Sequence, residues 1–179
     1  MTPSLDELQA AFQKLTASNT PPQASGDVQA LPPEGQPTTP TPPPPPPPVQ
    51  VTDPKAKGYH LDVTVAPDQV VAAAEIARQH GFAMDTVTGV DWMAAGQMEI
   101  VYDFFHPASA LHLVVRTRVP RDKPELPTIL GVFPGANWHE RETHEFFAIK
   151  FLGHPNLTPL LLPEDADYHP LRKDFTGAA

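Results

Sequence analysis

From Tyr59 onward the chain predicts an α+β fold: a small mixed sheet with a flanking helix, then a C-terminal helix and a long extended tail, behind a disordered Pro-rich N-terminus. Three observations carry this. His60-Leu61-Asp62-Val63-Thr64-Val65 alternates polar and apolar residues as a half-buried strand does. The next segment switches to helical spacing, with Val70, Ala73, Ala74 and Ala77 on one face. Two further apolar runs, 98–105 and 111–119, lie close enough in sequence to pair as a hairpin.

At the N-terminus, Ser4-Leu5-Asp6-Glu7 has the spacing of a capping box, and Leu5, Leu8, Phe12 and Leu15 follow at helical intervals, so residues 1–16 form a short amphipathic helix. An isolated helix of about 12 residues is marginal in water. A frayed terminus is therefore expected ahead of a docked one. Residues 17–57 read as a disordered linker, because 15 of the 25 prolines lie in residues 1–57 and seven are consecutive at 42–48. That run makes a stiff polyproline II spacer of roughly 20 Å. No flanking Arg or Lys orients it for an aromatic groove, so the spacer is preferred to a ligand.

Residues 58–133 form the core domain. Pro67-Asp68 opens its helix and Gly81 stops it, and residues 84–90 make the second strand. The hairpin turns around His106-Pro107-Ala108-Ser109. In its second arm Leu111, Leu113, Val115 and Val119 share one side while His112, Arg116 and Arg118 take the other, so one sheet face packs and the other stays wet. Residues 134–179 are a helix and a tail. Asn137 is placed to cap the helix with Glu140 at the third position. Pro155, Pro159, Pro163 and Pro170 then forbid a further long helix, leaving an extended segment that needs a surface to lie on.

Composition excludes several classes. With no cysteine there is no disulfide framework, thiol nucleophile or thiolate ligand for zinc or iron–sulfur clusters. Twelve Lys+Arg against 21 Asp+Glu give a net charge of -9 with no basic stripe, which argues against nucleic acid as a partner. The apolar stretches are far shorter than the roughly 20 residues that span a bilayer. No basic segment followed by a hydrophobic stretch opens the chain, so a soluble, cytoplasmic protein is expected.

No catalytic constellation stands out. His139, Glu140 and His144 resemble a zinc-protease helix, but the two histidines are five apart, about 140° around the helix, where that motif needs four. His154 and His169 sit in proline-flanked segments without a supported i, i+4 pair. Ser109 is not in a Gly-flanked nucleophile turn. Helical projection puts Trp138, Phe146 and Ile149 in one stripe with Glu142 in its middle, so Glu142 is expected among apolar groups. There it needs a cation from Arg172, Lys173 or another chain; the alternative is a helix only half buried, with Glu142 at its rim. Glu140 with His144, and Arg141 with Glu145, are ordinary i, i+4 pairs. His169-Pro170-Leu171-Arg172-Lys173-Asp174-Phe175 sets apolar anchors at Leu171 and Phe175 among three charges, the make-up of a segment pinned to a protein groove.

Together the motifs resemble a family. Pro134-Gly135-Ala136-Asn137-Trp138, Glu140-Arg141-Glu142, Glu145-Phe146-Phe147, Phe151-x-Gly153-His154-Pro155 and the run from His169 to Phe175 closely resemble the 30-kilodalton subunit of respiratory NADH:quinone oxidoreductase, complex I. Thr88-Gly89-Val90-Asp91 and the pattern from Tyr59 are compatible with it; residues 1–57 have no counterpart. Two departures stand out. Ala148 replaces a usual glycine, which bears on close backbone packing. Asp165-Ala166-Asp167-Tyr168 replaces a tryptophan-and-glycine stretch, the sign of a divergent branch.

The resemblance implies a peripheral subunit on the cytoplasmic side of the cell inner membrane, touching the membrane only through its complex. It implies no cofactor in this chain, with iron–sulfur clusters and FMN or a NiFe centre in partner subunits. The quinone-site large subunit and the terminal iron–sulfur subunit are the implied partners, reached through Trp138, Glu140, Arg141, Glu142, Gly153, His154, Pro155, His169, Pro170, Leu171, Arg172, Lys173, Asp174 and Phe175. Equivalent subunits of energy-converting NiFe hydrogenases linked to CO or formate are the alternative. A non-enzymatic soluble adaptor, recruiting its partner through residues 1–57, is the reading from another class.

Overall fold

The computed structural model describes residues 3–17 and 47–177. It has a five-stranded mixed sheet with helices on one face, as the apolar alternation predicts. The N-terminal helix, α1 (Leu5–Ala17), is docked, not frayed. Its capping box forms, with the Glu7 N–H donating to Ser4 Oγ at 3.2 Å and the Ser4 N–H to Glu7 Oε2 at 3.1 Å. Leu8 and Phe12 are wholly buried, and each such side chain contributes roughly 1.5–3 kcal/mol. That outweighs the marginal helix propensity. Gln69 Nε2 further holds the Leu15 carbonyl at 2.9 Å.

Most of the expected linker, residues 18–46, lies outside the described residues. Its final part departs from expectation. Strand β1 (Val49–Val51) leads through the short helix α2 (Pro54–Lys57) to β2 (Leu61–Thr64), with which it pairs antiparallel, so the sheet begins at Val49 rather than near Tyr59. Val49-Gln50-Val51 alternates like a strand, but its proline-rich surroundings mask the signal.

Helix α3 (Val70–Gln79) buries Val70, Ala73, Ala74 and Ala77, the face read from the sequence. Strand β3 (Ala83–Trp92) is longer than the expected 84–90. Strands β4 (Gln97–Phe105) and β5 (His112–Pro120) form the hairpin, with Tyr102 opposite Val115 and Phe104 opposite Leu113. The sheet order is β1-β2-β5-β4-β3, and β2 to β5 is its one parallel pairing among the described residues.

On the core face Leu61, Val63, Ile100, Phe104, Leu113 and Val115 pack beneath α1 and α3. The opposite face carries a layer of ion pairs. Arg116 Nε lies 3.1 Å from Asp62, and Arg118 Nε 3.1 Å from Glu99, whose other oxygen accepts from Trp92 Nε1. Val114 is buried under this layer and Glu99 within it.

Beyond β5 two short strands that the sequence does not announce, β6 (Glu125–Pro127) and β7 (Lys150–Leu152), pair in parallel with Leu126 opposite Phe151. Between them helix α4 (Ala136–Phe147) packs across β3. Gly89 permits that approach: a Cβ there would stand 2.7 Å from the Phe147 ring. Gly135 occupies the N-cap of α4 without a side-chain cap. Asn137 is inside the first turn, and Glu140 points into the core instead of back to the helix start.

Candidate functional site

Helix α4 and the tail that follows it form one unit, organised by three glutamates with different surroundings. Glu140 is fully buried. Its Oε1 accepts the Ile129 N–H at 2.9 Å and its Oε2 the Thr128 hydroxyl, while Thr128 Oγ1 accepts the Leu130 N–H. The carboxylate thus closes the turn after β6. Burial pushes its pKa up to about 6, against the pull of these two hydrogen bonds. The expected Glu140–His144 pair does not form; His144 Nδ1 donates to the Ile149 carbonyl at 2.8 Å.

His154 closes the same site. Gly153, at φ 84°, turns the chain after β7. The enclosed imidazole accepts the Asn156 N–H at Nδ1, which leaves the ring hydrogen on Nε2, 4.0 Å from Glu140 Oε2. Burial lowers the His154 pKa, so the ring stays neutral.

Glu145 anchors the tail. Its carboxylate accepts the backbone N–H groups of Leu160, Leu161 and Leu162 at 2.8–3.1 Å. Arg141 does not pair with it. Arg141 Nε donates to the Thr158 carbonyl at 3.0 Å and its Nη2 to the Pro159 carbonyl at 2.9 Å, with the guanidinium over the Trp138 ring. Both residues therefore bind tail backbone, which an i, i+4 reading cannot anticipate. His169 Nδ1 donates to the Glu145 carbonyl, and the Leu171 N–H to that of Phe146.

The end of the tail is held by groups that sequence reasoning missed. Asp91, at the end of β3, receives Arg121 Nε and Nη2 at 2.8 and 2.9 Å and the Lys173 N–H at 2.8 Å. Arg121 also reaches Asp174 at 2.6 Å, and Arg172 Nη2 donates to the Arg121 carbonyl. Phe175 stacks on Tyr168. The one available signal was a carboxylate closing an apolar strand. Arg172 and Asp174 are thus both engaged by Arg121 within this chain.

For Glu142 the structure selects the rim of a half-buried helix over a place among apolar groups. Glu142 is exposed, because the buried face of α4 is Ala136, Glu140, Thr143 and Phe147. Trp138 and Glu142 lie on the exposed side, while Phe146 is half-buried against the edge of the core. His139 Nδ1 lies 3.4 Å from Thr86 Oγ1, while His144 Nδ1 is taken up by the Ile149 carbonyl. Among the described residues no group of three His, Asp or Glu side chains fits a metal ion.

The model of the respiratory-chain NADH dehydrogenase 30 kDa subunit family matches residues 63–179. The chain belongs to this family. Among its 30 kDa relatives, the C subunit of the F(420)H(2) dehydrogenase of Methanosarcina mazei is 45% identical over 96 residues, covering 51% of this chain and 59% of that one. The C subunit of the NADH-quinone oxidoreductase of Roseiflexus sp. is 37% identical over 120 residues, 64% of this chain and 68% of that one. The chain thus spans less than two thirds of the Methanosarcina relative. Among solved structures, a chain of the membrane-bound sulfane sulfur reductase, an archaeal respiratory membrane complex, aligns with a TM-score of 0.60 at 32% identity over 64% of this chain and 71% of that one. A trypsin-resistant fragment of Nqo5 aligns at 0.50 and 26% identity, over 57% and 92%. The matched region takes in most of the sheet and α3 as well as α4, the tail and the Asp91–Arg121 pair.

Proposed function

We propose that this chain is a non-catalytic subunit of a membrane-associated NADH:quinone oxidoreductase, helping to assemble the quinone-site and iron–sulfur subunits during electron transfer coupled to ion translocation. One observation carries the reading. Buried anchors fix the tail against α4 and leave large apolar side chains exposed around it, Trp138 at 60%, Leu161 at 65% and Leu171 at 51%. Such groups mark protein contacts rather than solvent-facing surface.

The interface residues divide accordingly. Trp138, Glu142, Pro155, Leu171 and Lys173 face outward and make contacts. Gly153 and Asp174 are exposed beside them, while Glu140, Arg141, His154, His169, Pro170, Arg172 and Phe175 shape the surface from behind. The chain holds no cofactor in this reading. Its 179 residues include no cysteine for an iron–sulfur cluster, and such clusters, with the flavin, belong to partners. Attachment to the cytoplasmic side of the membrane runs through the complex; among the described residues no helix is long and apolar enough to cross it.

A second reading, the equivalent subunit of a complex with another donor or acceptor, including energy-converting NiFe hydrogenases, is favoured by the likeness to the sulfane sulfur reductase chain. Tagging the chain in its own cells, solubilising membranes gently and assaying the purified assembly separates the two. Quinone-site and iron–sulfur subunits with NADH oxidation support the first. Oxidation of reduced F420 or hydrogen evolution supports the second. A lone soluble protein overturns both in favour of an adaptor.

A further inference from the structure

A groove of about 320 Å³ opens between the outer side of α4, strand β3 and the tail. Thr86 and Thr88 form one wall, Phe146 and Leu171 the other, and Glu142 is the single charged group in its lining. The exposed Trp138 ring lies one helical turn before Glu142. Glu142 differs from the other two α4 glutamates: Glu140 and Glu145 are saturated with donors, whereas among the described residues no donor or cation meets Glu142. An exposed carboxylate with no cation of its own, beside the Phe146 and Leu171 side chains, suits an apolar group that brings its own cation.

We infer that this groove receives a segment of a partner subunit that presents an apolar side chain next to an Arg or Lys, the cation pairing with Glu142. The inference rests on the proposed role in a complex and specifies its contact. Charge selects the occupant. Residues 18–46 of this chain contain no Lys or Arg, so that segment cannot supply the cation. A second copy is disfavoured because two chains of net charge -9 repel. A heterologous basic and apolar segment satisfies both features of the groove.

The test uses the tagged full-length chain assembled in its own cells. A photoreactive benzoylphenylalanine replaces Trp138, and cross-linked peptides are identified by mass spectrometry. In parallel, Glu142→Gln and Glu142→Lys are compared for the amount of partner subunits recovered and for the melting of the isolated chain. The expected result is a cross-link to another subunit within a few residues of an Arg or Lys, with recovery lowered about tenfold or more by Glu142→Lys and less by Glu142→Gln. Melting should be unchanged in both. Assembly with normal recovery from Glu142→Lys overturns the inference while leaving the subunit role intact. So does a cross-link to residues 18–46, to a second copy, or to a segment lacking a cation. Failure of the unmodified chain to assemble overturns the subunit role and the inference with it.

Discussion

Arg121 grips Asp91 with two parallel hydrogen bonds of 2.8 and 2.9 Å, and the same carboxylate receives the Lys173 N–H from the far end of the chain. One buried ion pair thus joins the end of β3, the loop after β5 and the C-terminal tail. Arg121 holds the Asp91 carboxyl below the ordinary carboxylate range, against burial. A depressed carboxylate stabilises the fold above its unfolded pKa of 3.8, and the contribution is lost as pH falls through the folded value.

Arg121→Ala should therefore destabilise the chain by about 3–5 kcal/mol, because it leaves a buried carboxylate without its cation. Asp174→Ala removes only the exposed arm of the network and should cost far less, since water and salt screen such a pair. Urea unfolding at pH 7 measures both. Limited trypsin digestion should also show faster cleavage after Arg172 and Lys173 in Arg121→Ala. Equal stability losses for the two variants would remove the distinction between buried anchor and surface arm.

Glu140 sets a pH dependence of opposite sign. Its folded pKa of about 6 lies above the ordinary 4.5, so the native state prefers it protonated, and the favourable contribution is lost as pH rises from 4.5 through 6. The shift corresponds to roughly 2 kcal/mol. His154, with a lowered pKa, works the other way and loses stability as pH falls below about 6.5. Subtracting the unfolding free energies of Glu140→Gln from those of the unmodified chain at about pH 4.5 and 7.5 isolates the glutamate. The expected change in that difference is roughly 2 kcal/mol, Glu140→Gln gaining relative stability at the higher pH. A difference that does not vary with pH would mean that Glu140 titrates normally.

Helices α3 and α4 show how far a sequence can be read. Val70, Ala73, Ala74 and Ala77 are small and apolar on one side of α3, so their burial follows from periodicity alone. In α4, two stripes compete. Trp138, Glu142 and Phe146 look more apolar than Ala136, Glu140 and Thr143, yet the second stripe is inside. Its polar atoms are satisfied by Thr128, Ile129 and the Val87 carbonyl, partners that only the folded chain brings together. Residues 134–175 were legible as a signature, but not which of them point outward. Charges such as Arg172 and Asp174 look free until Arg121 is placed beside them.

Ala148 illustrates the effect of one departure. It ends α4 at φ 64° and ψ 21°, its N–H donating to the His144 carbonyl at 2.9 Å. That left-handed backbone is a conformation which favours glycine. A residue with a Cβ is disfavoured there by roughly 1 kcal/mol, part of which glycine returns through the unfolded chain's entropy. Ala148→Gly should raise stability by about 0.5–1 kcal/mol, seen as a higher melting temperature with unchanged assembly. A lowered melting temperature would contradict this.

Gly89 imposes a steric requirement instead. Its missing side chain makes room for the Phe147 ring, and a Cβ would meet ring atoms at 2.7 and 3.0 Å, closer than carbon atoms pack. Gly89→Ala must displace the ring or separate α4 from β3. The expected loss is about 1–3 kcal/mol. Phe147→Leu removes the offending ring atoms and leaves a cavity of its own, so the two substitutions should not add. In the Phe147→Leu background the penalty of Gly89→Ala should shrink by about 1 kcal/mol, measured as a double-mutant cycle by denaturant unfolding. Strict additivity would mean that α4 does not rest on β3 through this contact. A favourable coupling would fix the seat of the helix, and with it the direction in which Trp138 and Glu142 face a partner.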